Sequence, residues 1–479
     1  MSNLSELLPT GGGQNAVDFV ASGTLASGQT VALKADGTVE AVAGATEGVG
    51  TAAVFETANT LFIGSAFDSN AGKVVIAYRD VGNSGAATAV VGTVSGTSIS
   101  FGTPVAFASI GARFRATFDF TSNKIIIVYI ASSSGYAIVG TVSGTSISFG
   151  TALTISTNCD YPTVAFDSTN NKLVIAYRDA GNSGYATAVV GTVSGTSISL
   201  GTPAVFEAAS SYYTFAIFDP TNNKVVISYI DGGNSNYGTA VVGTVSGTSI
   251  SFGTPVVFES AMIENNSMAF DSTNNKVVIA YRDTGNTNAG TAVVGTVSGT
   301  SISFGTAVVF ESNQIVYTGT AFDSNAGKVV IAYRDQGNSY GTVIVGTVSG
   351  TSISFGAAAV FEAASTTYIA ATYDSTNNKV VIAYTDDGNS GYGTGIVFTV
   401  GSTNLSATTF LGITSEAISS GATGAINTYG GINTVQTGLT IASDYYVQSD
   451  GTLSTASASP AIKVGQAVSA TTINMKDLT

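Results

Sequence analysis

The chain has 479 residues with 16 basic and 30 acidic side chains, a formal net charge of −14, no histidine and one cysteine. No stretch gathers Lys or Arg, which argues against nucleic acid or an anionic membrane as partner, since both need clustered positive charge. The lone Cys159 excludes a disulfide framework and a thiolate zinc cage, and the lack of histidine removes His-based triads and most imidazole metal sites, so no cofactor and no metal are expected.

Residues 1–14 read as a flexible polar leader ending in Gly11-Gly12-Gly13. They lack a basic stretch followed by an apolar one, so no secretory signal is expected, and no apolar run reaches the roughly 18 residues that cross a bilayer. Residues 15–43 alternate as strands, the last two joined around Asp36-Gly37, a dipeptide suited to a type I′ hairpin turn. This segment is too short for a core of its own.

A repeat follows. The stretch at residues 90–101, VVGTVSGTSISF, returns near Ile138, Val189, Val241, Val293, Ile344 and, degraded, Gly395. Each unit also carries a strand closed by aspartate: Asp68, Asp119, Asp167, Asp219, Asp271, Asp323 and Asp374, spaced by 51, 48, 52, 52, 52 and 51 residues. That period is too long for one coil of a β-helix, and no helical periodicity appears. In the fifth unit four strands are read: A over residues 267–271, B over 276–283, C over 290–297 and D over 302–310. Strand B, with VVIAY at residues 277–281, is apolar throughout, as a strand covered on both faces must be. Residues 50–56, GTAAVFE, match the end of strand D and precede the first unit, so the amino-terminal D strand is expected to complete the last sheet and hide two open edges.

The reading is therefore all-β: a seven-bladed β-propeller over residues 49–405, inserted into a small discontinuous β domain formed by both termini, residues 15–48 and 406–479. Strand-like segments after residue 405 and a second hairpin signal, Asp450-Gly451, support the terminal part.

The repeats differ mainly in one place. The A–B and C–D turns are near copies, and an Asp-x4-Lys spacing in all seven units reads as an exposed ion pair of the scaffold, worth only about 0–1 kcal/mol. The D–A links, starting at Glu56, Ala108, Ser156, Glu207, Glu259, Glu311 and Glu362, read as irregular loops, and the B–C loops beside them carry Tyr185, Tyr237, Tyr340 or Tyr392. Tyr, Asn, Ser and Gly in such a rim give rigid contact area and adaptable hydrogen bonds. Arg113, Arg115, Tyr161, Tyr212, Tyr213, Asn265, Tyr317 and Tyr368 are the candidate ligand-binding residues. Chain entry into strand D and exit from strand C fall at the opposite face, so the terminal domain is expected there.

Catalysis has little to stand on. Arg79, Arg178, Arg282 and Arg334 are repeat equivalents on different units and do not suggest a converging sialidase triad. Asp80, Asp179, Asp231, Asp283, Asp335 and Asp386 fit Asx-turns better than an EF-hand loop. Arg113 and Arg115 could grip an acidic sugar bidentately.

The repeat FDSTNNKVVIAYRDxGNSxYGTAVVGTVSGTSISFGTPVVFE resembles repeats in phage virion proteins, and the ends (residues 22–42, 438–453 and from 462 on) are similar to β modules that attach phage fibres or decorations. The resemblance implies a virion surface protein of tail-fibre, receptor-binding or capsid-fibre type, assembled in the host cytoplasm. Its terminal β domain would contact other virion proteins and its irregular rim a host surface glycan or receptor, with neither nucleic acid nor membrane insertion and with homo-oligomerisation open. The alternatives are a purely structural decoration protein and a glycan-degrading enzyme.

Overall fold

In the fifth repeat Val277, Val278, Ile279, Ala280 and Tyr281 are no more than 1% exposed. Successive side chains of a strand point to opposite faces, so such a segment needs cover on both sides. The computed structural model, which describes residues 15–457 and 461–476, shows where that cover comes from. The leader read over residues 1–14 lies outside them. Val277, Ile279 and Tyr281 pack against Val226 of the preceding repeat, while Val278 and Ala280 pack against Val329, Ile331 and Tyr333 of the following one. The same division recurs at the other junctions. Val381 and Ala383 of the last repeat pack against Val74, Ile76 and Tyr78 of the first, so the row of sheets closes on itself. Each buried Val or Ile side chain contributes about 1.5–3 kcal/mol, which makes these junctions the main source of cohesion.

Every sheet is an antiparallel meander. In the fifth, the end of strand Val256–Asp271 is A, Lys276–Asp283 is B, and Ala289–Ser298 is C. Strand D comes in two pieces, Ser301–Phe304 and the start of Val308–Asp323. Among the described residues this pattern recurs seven times. In the last sheet, Tyr392–Thr399 as strand C pairs with Gly48–Val49 and with the start of Ala53–Asp68. The polypeptide thus enters and leaves this unit where the other sheets make their C–D turn. A side-chain exchange marks the splice. Elsewhere a glycine on C faces Phe or Leu on D, as in Gly243 opposite Phe252, whereas here Phe398 on C faces Val49 on D.

The structure corrects four details. The D–A links are mostly not loops: in five of the seven, as in Val256–Asp271, one strand runs from D of one sheet into A of the next, while short breaks at residues 109–111 and 157–158 interrupt the other two. The Asp-x4-Lys pairs are not ion pairs: Asp271 is buried and accepts the turn amides of Thr273 and Asn274, while Lys172 and Lys328 donate to Thr192 and Thr347 on strand C. An Asx acceptor closes the turn without any cation. The second crossing between units falls at Val400/Gly401 rather than at residue 405, because Ser402–Thr403 pairs with Gly44–Ala45 and Leu405 is buried in the other unit's core. Lastly, the Asp36-Gly37 turn is not type I′, since of the two only Gly37 has positive φ, at 81°, and its N–H donates to Lys34 O.

The second unit takes residues from both chain ends. Its first sheet orders Ala16–Val20, Thr423–Asn427, Phe410–Thr414, Thr30–Leu33 and Val39–Ala41, so a pair of carboxy-terminal strands lies between amino-terminal ones. A further five-stranded sheet comes from residues 432–474, and Ala32, Val42, Phe410, Val447, Val464 and Met475 share one buried cluster.

Two outcomes follow from the sheet junctions. A Cβ on Gly253, at the break in strand D, would lie 1.8 Å from Thr300 O on the next sheet, whereas at the equivalent Gly356 the nearest atom is 3.9 Å away. Gly253→Ala is expected to cost several kcal/mol, on the order of the largest single-substitution effects, and Gly356→Ala almost nothing; equal losses in denaturant unfolding would contradict the junction geometry. The second outcome concerns the strand-B tyrosines. Tyr281 Oη donates to Glu259 Oε2 at 3.0 Å across a junction, and burial with the nearby carboxylate raises its pKa well above the ordinary 10.0. Burial pushes Tyr129 to about 12. A raised folded-state value means that the stabilisation is complete below pH 10 and is lost as pH rises through the folded value. The share of tyrosinate absorbance that comes from the seven strand-B tyrosines is therefore expected to appear together with unfolding above pH 10, rather than ahead of it.

Candidate functional site

Strand A of every repeat contains the same irregularity. The register between Val256–Asp271 and Lys276–Asp283 shifts between Glu264 and Ser267, so Asn265 and Asn266 together face the single residue Tyr281. This is a β-bulge, which bends the strand and re-aims a side chain. The first bulge residue is left-handed in all seven repeats: Phe62, Arg113, Tyr161, Tyr213, Asn265, Tyr317 and Tyr368 have φ between 48° and 56°. Positive φ is uncommon for bulky residues and costs about 1–3 kcal/mol unless the surroundings enforce it. The register enforces it here, with a buried strand-B tyrosine opposite each bulge.

These seven residues line one cavity of about 210 Å³, together with Ile63, Arg115, Pro162, Thr214, Asn266, Thr318 and Ile369. Two arcs of contacts run around its mouth. The ring centroids of Tyr317 and Tyr368 are 5.1 Å apart, and those of Tyr368 and Phe62 are 4.9 Å apart. On the other side the Arg113 guanidinium lies 4.0 Å from the centre of the Tyr161 ring, which lies 4.7 Å from that of Tyr213. Asn265 stands between the arcs.

Hydrogen bonds between neighbouring sheets hold these backbones in place. Thr214 Oγ1 donates to Tyr161 O, and Thr318 Oγ1 to Asn265 O. Burial raises the pKa of Tyr213 and Tyr317, so both phenols stay neutral donors near pH 7. Arg113 is paired, with Nε 3.1 Å from Asp160 Oδ1. Glu264 pairs with Arg282.

Arg115 occupies a different level. Strand A runs from the bulge toward the A–B turn, and Arg115 lies two residues beyond Arg113 on that path. It borders the mouth, a 90 Å³ space lined by Ser65, Ser267, Thr318 and Thr320, and a wider 420 Å³ apolar space lined by Phe118, Phe166, Phe218 and Phe270. Arg115 belongs to the lining of all three spaces. Burial, with the positive charge of Arg113 beside it, lowers the Arg115 guanidinium to about 10, so it remains a cation at neutral pH.

Six of the eight expected residues, Arg113, Tyr161, Tyr213, Asn265, Tyr317 and Tyr368, therefore occupy equivalent bulge positions, and Arg115 lies just below them. Tyr212 does not join them: its hydroxyl is 3.1 Å from Ser210 Oγ, and Arg178 covers its ring. Sequence reasoning missed Phe62 and the second bulge residues. Each first bulge residue stands six positions before its repeat aspartate, a signal that was present in the sequence. Tyr185, Tyr237, Tyr340 and Tyr392 are not among the cavity-lining residues, nor are Arg79, Arg178, Arg282 and Arg334. Asp80, Asp231 and Asp386 accept loop amides at 2.9–3.1 Å, as Asx-turns require. Among the described residues no cluster of three metal-ligating acidic or Cys side chains exists, and no helix is long and apolar enough to cross a membrane.

No protein-family model and no curated protein sequence matches this chain. Solved structures do. The BP39L lectin from Burkholderia pseudomallei superposes with a TM-score of 0.53 at 12% identity, over 73% of this chain and 99% of the lectin. A complex of NanB with Optactamide gives 0.43 at 14% identity, over 72% of this chain and 70% of that one. A triple arginine-to-alanine mutant of AofleA from Arthrobotrys oligospora gives 0.41 at 9% identity, over 68% of this chain and 94% of that one. At these identities the first likeness establishes a shared all-β fold.

Proposed function

We propose that Gly48–Val400 is a seven-bladed β-propeller whose central mouth binds a glycan. The observation that carries this is the ring of bulge side chains: five aromatics, one arginine and one asparagine, each from a different sheet, converging on one cavity. Aromatic faces stack on the C–H faces of a sugar, while phenol, amide and guanidinium groups bond its hydroxyls. The cavity is smaller than the roughly 300–1,000 Å³ of drug-sized sites, so a single sugar unit suits it better than an extended chain. The fold is shared with a protein described as a lectin, which supports the same reading. A glycan-cleaving reading has less behind it, since the four repeat-equivalent arginines stay away from the cavity.

We further propose that the terminal unit attaches the protein to a virion, on the resemblance of residues 22–42 and 438–453 to phage attachment modules. Under that reading the glycan belongs to a host surface. A purely decorative protein would share the fold and lack the binding.

A glycan array probed with the full chain is expected to give a defined set of bound sugars. Tyr213→Ala and Tyr368→Ala should each weaken binding about tenfold or more, which corresponds to about 1.4 kcal/mol. Tyr237→Ala, outside the mouth, should leave it unchanged. An array without signal, or mouth variants that bind as the parent does, would favour decoration over recognition.

A further inference from the structure

The seven positions at the level below the mouth, two residues past each bulge, are Gly64, Arg115, Thr163, Phe215, Ser267, Gly319 and Ala370. Six are small, hydroxylated or apolar. The seventh is a cation, and no repeat logic requires it. Among the described residues no carboxylate lies within ion-pair distance of Arg115, although ion pairs occur for Arg113 and Arg282 nearby. No acidic side chain among the described residues lines the mouth, and Asp160, Glu264 and Asp387 are engaged elsewhere, with Arg113, with Arg282 and with the hydroxyls of Ser365 and Thr367.

A guanidinium presents five N–H donors in a planar fork. The Arg115 side chain donates one hydrogen bond, from Nη1 to Phe114 O at 3.1 Å, and its charge centre lies 5.4 Å from the middle of the Phe215 ring. The remaining donors border a space walled by the hydroxyl-bearing Ser65, Ser267, Thr318 and Thr320. Arg115 is half-buried, and a cation with free donors beside a cavity is characteristic of a binding site. A planar fork matches a carboxylate.

We propose that Arg115 is the specificity-determining residue of the site and that the saccharide bound at the mouth carries a carboxylate, which reaches past the ring of bulge residues and takes the fork of Arg115. This deepens the glycan reading above and rests on it. The bulge aromatics hold the sugar ring, and the charge selects acidic sugars over neutral ones. Arg113, already neutralised by Asp160 and stacked on Tyr161, belongs to the platform rather than to the charge recognition.

The test is calorimetric titration of the full chain with an oligouronate, its methyl ester and the corresponding neutral oligosaccharide. The parent protein is expected to bind the acid at least tenfold more tightly than either neutral probe. Arg115→Met should abolish that preference by lowering the affinity for the acid to that for the neutral probes, while Arg115→Lys, which keeps the charge without the fork, should retain part of it; thermal melts of both variants check the fold. If the parent binds neutral and acidic probes equally, or if Arg115→Met keeps the preference, this inference fails while the glycan reading stands. If no saccharide of either kind binds, the glycan reading fails and takes this one with it.

Discussion

The constraint on which the rest depends is that strand B is apolar on both faces. One sheet cannot cover its own two faces, so each must lie between two others, and a short row of such sheets would leave two apolar surfaces exposed. Closing the row removes both at once, which is what the packing of Val381 and Ala383 against Val74, Ile76 and Tyr78 achieves. The swapped pair Phe398 and Val49 shows the same demand at side-chain scale: where the chain is cut, the volume missing from one strand is supplied by its neighbour.

Closure has a consequence at the centre. Strands A converge there, and small differences among them are brought face to face. A bulge on a solitary strand would point one side chain into solvent, whereas seven equivalent bulges in a closed row point seven side chains at one another. The scaffold is thus repetitive where sheets touch and variable where the bulges meet. Tyr161 against Tyr213 and Phe62 against Tyr368 are contacts between neighbouring sheets made by residues that the repeat leaves free to differ.

Much of this was legible in the sequence, for identifiable reasons. The aspartate spacing and the unbroken VVIAY run gave away the sheets, since both are local patterns with one structural explanation. The completion of the last sheet by the amino-terminal strand could be read because GTAAVFE copies its repeat equivalents. The bulge could not be read, because it depends on how residues 259–271 register against strand B, and nothing in a Tyr or Asn announces positive φ. Taking that stretch for a loop blurred the distinction between Tyr213, which faces the cavity, and Tyr212, which does not. Phe62 was overlooked although its offset of six from Asp68 matches that of the other first bulge residues. The Asp-x4-Lys spacing misled differently: the aspartate recurs for its turn amides, and the lysine for a threonine on strand C.

The same reasoning separates Arg115 from the other arginines. Arg79, Arg178, Arg282 and Arg334 recur with the repeat and lie beside the B–C loops, where Arg282 finds Glu264 and Arg178 the ring of Tyr212. A recurring residue answers to the scaffold, because the scaffold is what recurs. Arg115 has no counterpart in the other six sheets, lines the cavity at which the bulges meet, and has no carboxylate within ion-pair distance among the described residues. In a closed row of near-identical units, a residue that departs from the repeat does not answer to the scaffold, which is why Arg115 carries the proposed carboxylate recognition.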